Sequence, residues 1–190
     1  MRVGVVISTI SREEATGTIT ALMGQPWDGL FLVRDYGGNV AKSRNRGWRA
    51  IADFCDVIAF TDDDCIPDFN FIEEGRKFFE DNWIDFMQGK VTGGIETSKD
   101  FFFITANFWA KVSALKNIGG FDEEYLYAGD EDLDFGWSIE KEGSKVSYNP
   151  KCIVTHVTKP KHRVLAHNQA RLMKKFPERL TKLFRENTAR

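Results

Sequence analysis

Three short apolar runs, Val3 to Ile7, Leu30 to Val33 and Val57 to Phe60, punctuate the first sixty residues, with helix-like stretches between them. That alternation restricts the fold more than any other feature, because strands alternating with helices imply a parallel sheet with right-handed crossovers. A strand is expected over Val3–Ser8, then a helix from a Ser11 cap to about Met23, with Glu13 and Glu14 favourable in its first turn. Gly24-Gln25-Pro26 ends that helix, and the second strand, Leu30–Val33, leads into a turn at Asp35-Tyr36-Gly37-Gly38. A second helix is expected over about 41–54, weakened by Gly47, before the buried strand at 57–60.

That last strand delivers three consecutive aspartates, Asp62-Asp63-Asp64. Carboxyl ends of parallel strands are where open α/β folds bind ligands, and Thr9, Asp35 and Asp62 each stand just past one of the three strands. Three crowded anions repel one another unless a cation offsets them. Oxygen ligands in an Asp-x-Asp spacing suit a hard divalent ion, Mn²⁺ or Mg²⁺, bound together with substrate phosphates. A solvated acidic turn is the alternative for the triplet taken alone.

The second half is less regular. A helix is expected over Phe69–Asp81 and a strand over Asp85–Val91, followed by a loop from Thr92 to Ser98. Phe101–Trp109 is strand-like, and Lys111–Asn117 is a short helix closed by Gly119-Gly120. Asp130–Glu142 reads as a helix capped by Asp130 and stopped at Gly143, although its alternating apolar residues also permit a strand. Val146–Tyr148 and Cys152–His156 are short strands, and the chain from about Arg163 is helical, broken at Pro177.

A chain of 190 residues with 42% hydrophobic and 28% charged residues suits one ordinary globular domain. No apolar run is long enough to span a bilayer. Cys55, Cys65 and Cys152 lack metal-ligand spacing and fit reduced thiols, so a cytoplasmic location is expected. The net charge of −2 hides an asymmetry: ten of the 26 basic residues but only two of the 28 acidic ones lie in residues 157–190.

Together the segments resemble the family 2 glycosyltransferases, over about residues 3–156. Ile7-Ser8-Thr9-Ile10-Ser11-Arg12 stands where the family has I-P-T-Y-N-R, with Ser8 in place of proline. Val33-Arg34-Asp35-Tyr36-Gly37-Gly38 is similar to V-V-D-D-G-S, and Ala41-Lys42-Ser43-Arg44-Asn45-Arg46-Gly47 to the A-R-N-x-G signature. Phe60-Thr61-Asp62-Asp63-Asp64-Cys65-Ile66-Pro67-Asp68 matches the segment that carries the DXD motif. Ala106-Asn107-Phe108, Gly119-Gly120-Phe121-Asp122-Glu123 and Gly129-Asp130-Glu131-Asp132-Leu133-Asp134 resemble G-N-x, G-G-F-D-E and G-x-E-D-x-D. His156 occupies the place of a late histidine.

The resemblance implies a single GT-A domain, an α/β Rossmann-like fold with a mostly parallel central sheet flanked by helices. Residues 1–92 would form its nucleotide-sugar half and 93–156 its acceptor half, with a basic helical tail over 157–190. It implies a metal-dependent inverting transfer from a nucleoside-diphosphate sugar of the UDP or GDP type to a glycan, lipid-linked or other hydroxyl acceptor. Thr9, Arg12, Asp35, Arg44, Asn45, Asp62 and Asp63 would bind the nucleotide sugar. Asp62, Asp64 and His156 would hold Mn²⁺ or Mg²⁺, and Asp132 would be the general base with Glu131 beside it. Ser138 stands near where many relatives carry an arginine, which puts a diphosphate contact from that helix in doubt.

A sugar-phosphate nucleotidyltransferase would carry a glycine-rich loop after the first strand, where this chain reads Ser8-Thr9-Ile10-Ser11-Arg12. A phosphohydrolase with an aspartyl nucleophile would be expected to place its acids after the first strand rather than the third. A non-catalytic sugar- or nucleotide-binding module of the same fold remains the alternative from another class. For the tail two readings stay open: a basic face turned to an anionic acceptor or membrane surface, or a helix packed on the acidic body. No nucleic-acid partner is expected.

Overall fold

The computed structural model describes residues 1–34, 38–93, 96–98, 103–157 and 166–179. Its first half follows the alternation in the sequence: β1 (Val3–Thr9), α1 (Thr16–Leu22), β2 (Gly29–Arg34), α2 (Val40–Ile51) and β3 (Val57–Asp62). The second half comprises β4 (Cys65–Pro67), α3 (Phe71–Asp81), β5 (Phe86–Gly93), a 3₁₀ turn at Thr105–Asn107, β6 (Phe108–Lys111), α4 (Val112–Ile118), α5 (Glu131–Lys141), β7 (Val146–His156) and α6 (Ala166–Lys175). No helix among the described residues is long and apolar enough to cross a membrane.

Seven strands form one sheet in the order β2-β1-β3-β6-β5-β7-β4. β1 runs parallel to β2 and β3, as the alternation requires, and β5 runs parallel to β7. β6 is antiparallel to both of its neighbours and β4 is antiparallel to β7, so the described sheet is mixed, with three pairings of each kind.

Helices cover both faces, which explains why the central strands are apolar throughout. On one face Val6, Ile58 and Phe60 meet Trp48 and Ile51 of α2, Leu115 of α4, and Phe135 and Ile139 of α5. On the other, Val5, Ile7 and Ala59 meet Leu22 of α1 and Phe71, Ile72 and Phe79 of α3. Much of the chain's phenylalanine goes into the first layer. Phe121 stacks on Phe135 at 4.1 Å between centroids and meets Phe60 edge-on at 5.3 Å, which ties the end of β3 to α5.

Gly47 does not weaken α2 by accident. A Cβ there would lie 2.4 Å from Val6 Cγ1 and 2.8 Å from Val33 Cγ2, so the glycine is what lets the helix lie flat on β1 and β2. α2 is capped by Asn39, whose Oδ1 accepts the Lys42 N–H at 2.8 Å.

Several elements depart from expectation, among them β4, a strand at Cys65–Pro67 where none was expected. Ser11 caps a turn, accepting the Glu14 N–H, and α1 begins only at Thr16. Asp130 precedes α5 as expected, but its side chain makes no cap hydrogen bond. The strand expected over 101–109 starts at Phe108, because buried Gln88 takes the N–H groups of Phe103 and Ile104 out of the ladder, and Asn107 bonds the carbonyls of Lys90 and Cys152. The two strands expected over 146–156 are one, β7, with a register shift where Gly89 faces Asn149 and Lys90 faces Ile153.

The described part of the tail packs on the body. Leu172 and Phe176 close over Trp137, while Arg171, Lys175 and Arg179 pair with Asp122, Asp134 and Glu140. Lys159, Lys161, Arg163, Lys182, Arg185 and Arg190 lie outside the described residues.

Gly47→Ala should lower stability by about 1–3 kcal/mol, because the added methyl overpacks the α2–sheet interface. A denaturation midpoint within error of the parent would show that α2 does not rest on the sheet at this position.

Candidate active site

Alternation along β3 puts Ile58, Phe60 and Asp62 on the face covered by α2 and α5. The chain then turns through Asp63 and Asp64 and comes back as β4. Thr18 of α1 holds this turn: its buried Oγ1 lies 2.6, 2.9 and 3.3 Å from the carbonyl oxygens of Cys65, Asp63 and Asp62. The antiparallel register of β4 and β7 sets Cys65 opposite His156, and the Val157 N–H bonds the Asp64 carbonyl at 3.0 Å. One ligand atom from each of Asp62, Asp64, Cys65 and His156 thereby falls within 4.8 Å of all the others. His156 Nε2 is 3.6 Å from Asp64 Oδ1.

This donor set fits a divalent cation. Two carboxylates and an imidazole are ligands that Mn²⁺ accepts readily and Mg²⁺ accepts through the oxygens. Cys65 is the member that sequence reasoning did not count as a ligand. Burial, together with the charges of Asp62 and Asp64, pushes its thiol well above the ordinary range, so it stays protonated beside these acids. Asp63 is not in the group. Burial raises its carboxyl, opposed by bonds from the Thr9 hydroxyl and the Ile10 backbone, which turn it toward the end of β1.

Across the turn stand the acids that open α5. Arg44 of α2 is 4% exposed and joins the two sets: one guanidinium nitrogen is 3.0 Å from Asp62 Oδ1, the other 2.8 Å from Glu131 Oε1. Burial alone would lower the Arg44 pKa, but the carboxylates of Asp62 and Glu131 outweigh it and keep the guanidinium charged. Glu131 is itself buried, and its second oxygen accepts the Gly129 N–H at 2.6 Å. Asp132 accepts the Leu133 N–H at 2.8 Å. Burial and the adjoining Glu131 push its carboxyl up to about 7, with Arg44 pulling the other way.

The remaining expected residues divide. Thr9 and Arg12, with Ser11, Glu13, Ile19, Leu30 and Leu32, line a cleft of about 650 Å³ beside β1 and β2. Asp35 lies outside the described residues. Asn45 is fully buried, and its amide holds both backbone groups of Phe121, the Glu123 carboxylate and the Trp48 indole, so it ties the Gly-Gly-Phe-Asp-Glu segment to α2. Ser8 pairs in register with Asp62, and its buried hydroxyl has no hydrogen-bond partner among the described residues. Thr18 was missed by sequence reasoning; a lone threonine on a helix gives no signal of what it will bond.

No family model and no curated protein matches the chain. Solved structures do resemble it. It is similar to the catalytic domain of Drosophila beta1,4galactosyltransferase 7 in complex with xylobiose, at a TM-score of 0.67 and 16% identity, covering 88% of this chain and 78% of that one. A mutant of that enzyme complexed with manganese, UDP-Gal and xylobiose gives 0.63 and 14%, with 90% and 79% covered. TarS of S. aureus, residues 1–349 in complex with UDP-GlcNAc, gives 0.67 and 13%, with 89% of this chain and 61% of that one covered. The chain thus has the GT-A glycosyltransferase fold, the fold that its resemblance to family 2 implies.

Replacing Arg44 by Leu should cost about 3–5 kcal/mol, since it leaves Glu131 buried without its counter-charge. Chemical denaturation checks this. A loss below about 1 kcal/mol, the worth of an exposed pair, would show that the bridge does not hold α2 to α5.

Proposed function

We propose that this protein is a metal-dependent inverting glycosyltransferase, moving a sugar from a nucleoside-diphosphate sugar to an acceptor hydroxyl. One observation carries the reading: buried Arg44 pairs with Asp62, a member of the Asp62–Asp64–His156 group, and with Glu131, the neighbour of Asp132, and so links the two sets of acids. Single displacement at an anomeric carbon needs a proton acceptor on the incoming side and charge stabilisation on the departing side.

Asp132 takes the acceptor hydroxyl's proton as its oxygen attacks. A carboxylate with a pKa of about 7 is a stronger base than an ordinary aspartate and becomes largely ionised only above neutral pH. Asp62, Asp64 and His156 would hold Mn²⁺ or Mg²⁺, which supplies positive charge for the diphosphate. Arg44 keeps Asp62 and Glu131 in place through its two ion pairs. Thr9 and Arg12, at the cleft beside β1 and β2, suit the base and ribose of a UDP- or GDP-type donor, with Asp35 next in sequence to β2. The neighbours' complexes with UDP-Gal and UDP-GlcNAc favour UDP, and the xylobiose complex favours a saccharide acceptor.

Calorimetry should show a nucleoside diphosphate binding in Mn²⁺ or Mg²⁺ and losing that affinity in chelator, with Asp64→Ala the most damaging single change to the metal dependence. Equal affinity with and without metal would sink the assignment.

Asp132→Asn should leave donor binding intact and reduce transfer about 10²–10⁴-fold. The parent's turnover should fall as pH drops through about 7, where Asp132 takes up a proton. Because its folded-state pKa is raised, ionised Asp132 costs stability progressively between the ordinary aspartate pKa and about 7. The asparagine variant should therefore melt higher than the parent at pH 8 and show no such gain at pH 4. Turnover of labelled nucleotide sugar at parental rates would return Asp132 to the role of a helix-start acid; a parent without turnover would mark a binding module.

A further inference from the structure

The catalytic reading leaves unexplained a fully buried polar residue in the C-terminal helix. Asn168 of α6 spends its whole amide on one short segment: its Oδ1 accepts the Leu126 N–H at 3.0 Å, and its Nδ2 donates to the carbonyls of Leu126 at 2.9 Å and Gly129 at 2.7 Å. Three well-formed bonds also fix which end of the amide is oxygen, since a flipped amide would face donor with donor. The segment belongs to no strand or helix, so these bonds take the place of a ladder.

The segment is also strained. Tyr127 and Asp130, both with side chains, sit at φ 60° and 66°, in the left-handed region, and Gly129 sits at 144°. Such conformations persist only where surrounding contacts over-determine them. Asp130 immediately precedes α5, and its carbonyl accepts the Asp134 N–H at 2.9 Å, so the strained segment fixes where and in what direction the helix begins. From Asn168 an unbroken run of contacts leads to the carboxylate turn: Asn168 to Gly129, Gly129 to Glu131, Glu131 to Arg44, and Arg44 to Asp62. Beside it, Arg171 grips Asp122 through two nitrogens, and Lys175 bridges Asp122 and Asp134. The Tyr127 ring lies over Gly38, where a Cβ would come within 2.3 Å of it, and the tyrosine stays half exposed at the rim.

We infer that Asn168 is a positioning residue for the transfer reaction: α6, through this one amide, holds the strained 126–130 segment in the shape that sets Asp132 against the Arg44–Asp62 side of the site. The inference rests on the reading of Asp132 as the base. Among the described residues the hydrogen bonds of Asn168 reach none of those that would bind metal or nucleotide, so its effect should fall on the chemical step and not on donor affinity.

The test uses the full chain with Asn168→Ala, Asn168→Ser and Asn168→Asp. The aspartate keeps the acceptor for Leu126 N–H and loses both donors; the serine guards against a variant that does not fold. Hydrogen exchange over residues 123–135 should quicken about tenfold or more in the alanine and serine variants, as expected for lost buried bonds, and at least as much in the aspartate, whose carboxylate would face the Leu126 and Gly129 carbonyl oxygens, while β1 and β3 stay protected. Turnover number should fall about tenfold or more, with the Kd for nucleoside diphosphate and Mn²⁺ within twofold of the parent. A purely structural role would show instead as parallel losses of melting temperature, donor affinity and turnover. Unchanged exchange over 126–130 overturns the inference, as does unchanged turnover despite quickened exchange. If the parent turns over no nucleotide sugar, the reading of Asp132 as base is what fails, and the exchange arm alone decides whether Asn168 holds the segment.

Discussion

A guanidinium buried to 4% exposure can persist only with compensation, and Arg44 finds it in two carboxylates that belong to different parts of the chain. The planar fork of arginine makes this possible, since its nitrogens point in separate fixed directions; a lysine ammonium could not reach both in the same way. Once that charge is buried, the distance between β3 and α5 is no longer free. α2 supplies the cation, and the Phe60–Phe121–Phe135 contacts fill the space beneath it. Electrostatics and packing thus impose the same arrangement.

The arrangement also sets two differently built acidic groups side by side. At the end of β3, several anions are gathered where a divalent ion can neutralise them, while the Cys65 thiol among them stays neutral. At the start of α5, Glu131 is committed to Arg44 and Gly129, and burial together with the Glu131 charge raises the carboxyl of its neighbour Asp132.

How far the sequence disclosed this depends on whether a feature is local. The first three strands and α2 follow from apolar runs and turn residues, which act over a few neighbours. The carboxylate triplet and His156 could be placed at strand ends for the same reason, and motif order brought them together. The late start of β6 was hidden because its cause is two buried amides, Gln88 and Asn107, whose partners are distant in sequence and leave no periodic trace. Asn45 illustrates the converse: the motif identifies it, yet its side chain is wholly engaged with the Phe121 segment, so its position in a signature does not reveal the bonds it makes. The tail's charge was plain, but the direction it faces is set by Asp122, Asp134 and Glu140, acids that sequence alone left among many.

The place of β4 in the sheet has a consequence for how the molecule comes into being. Among the described residues β4 is an edge strand whose one sheet neighbour is β7, a segment from near the other end of the described chain. Closing so long a loop is slow compared with forming local helices, and its entropy must be met before the contact returns anything. A nascent chain can therefore dock α2 onto β1, β2 and β3 while Asp64 and Cys65 still lack their partner strand. The cluster of Asp62, Asp64, Cys65 and His156 is complete only once β4 has paired with β7. A chain that ends before residue 156 carries every carboxylate of the turn and none of the histidine that joins them into a site.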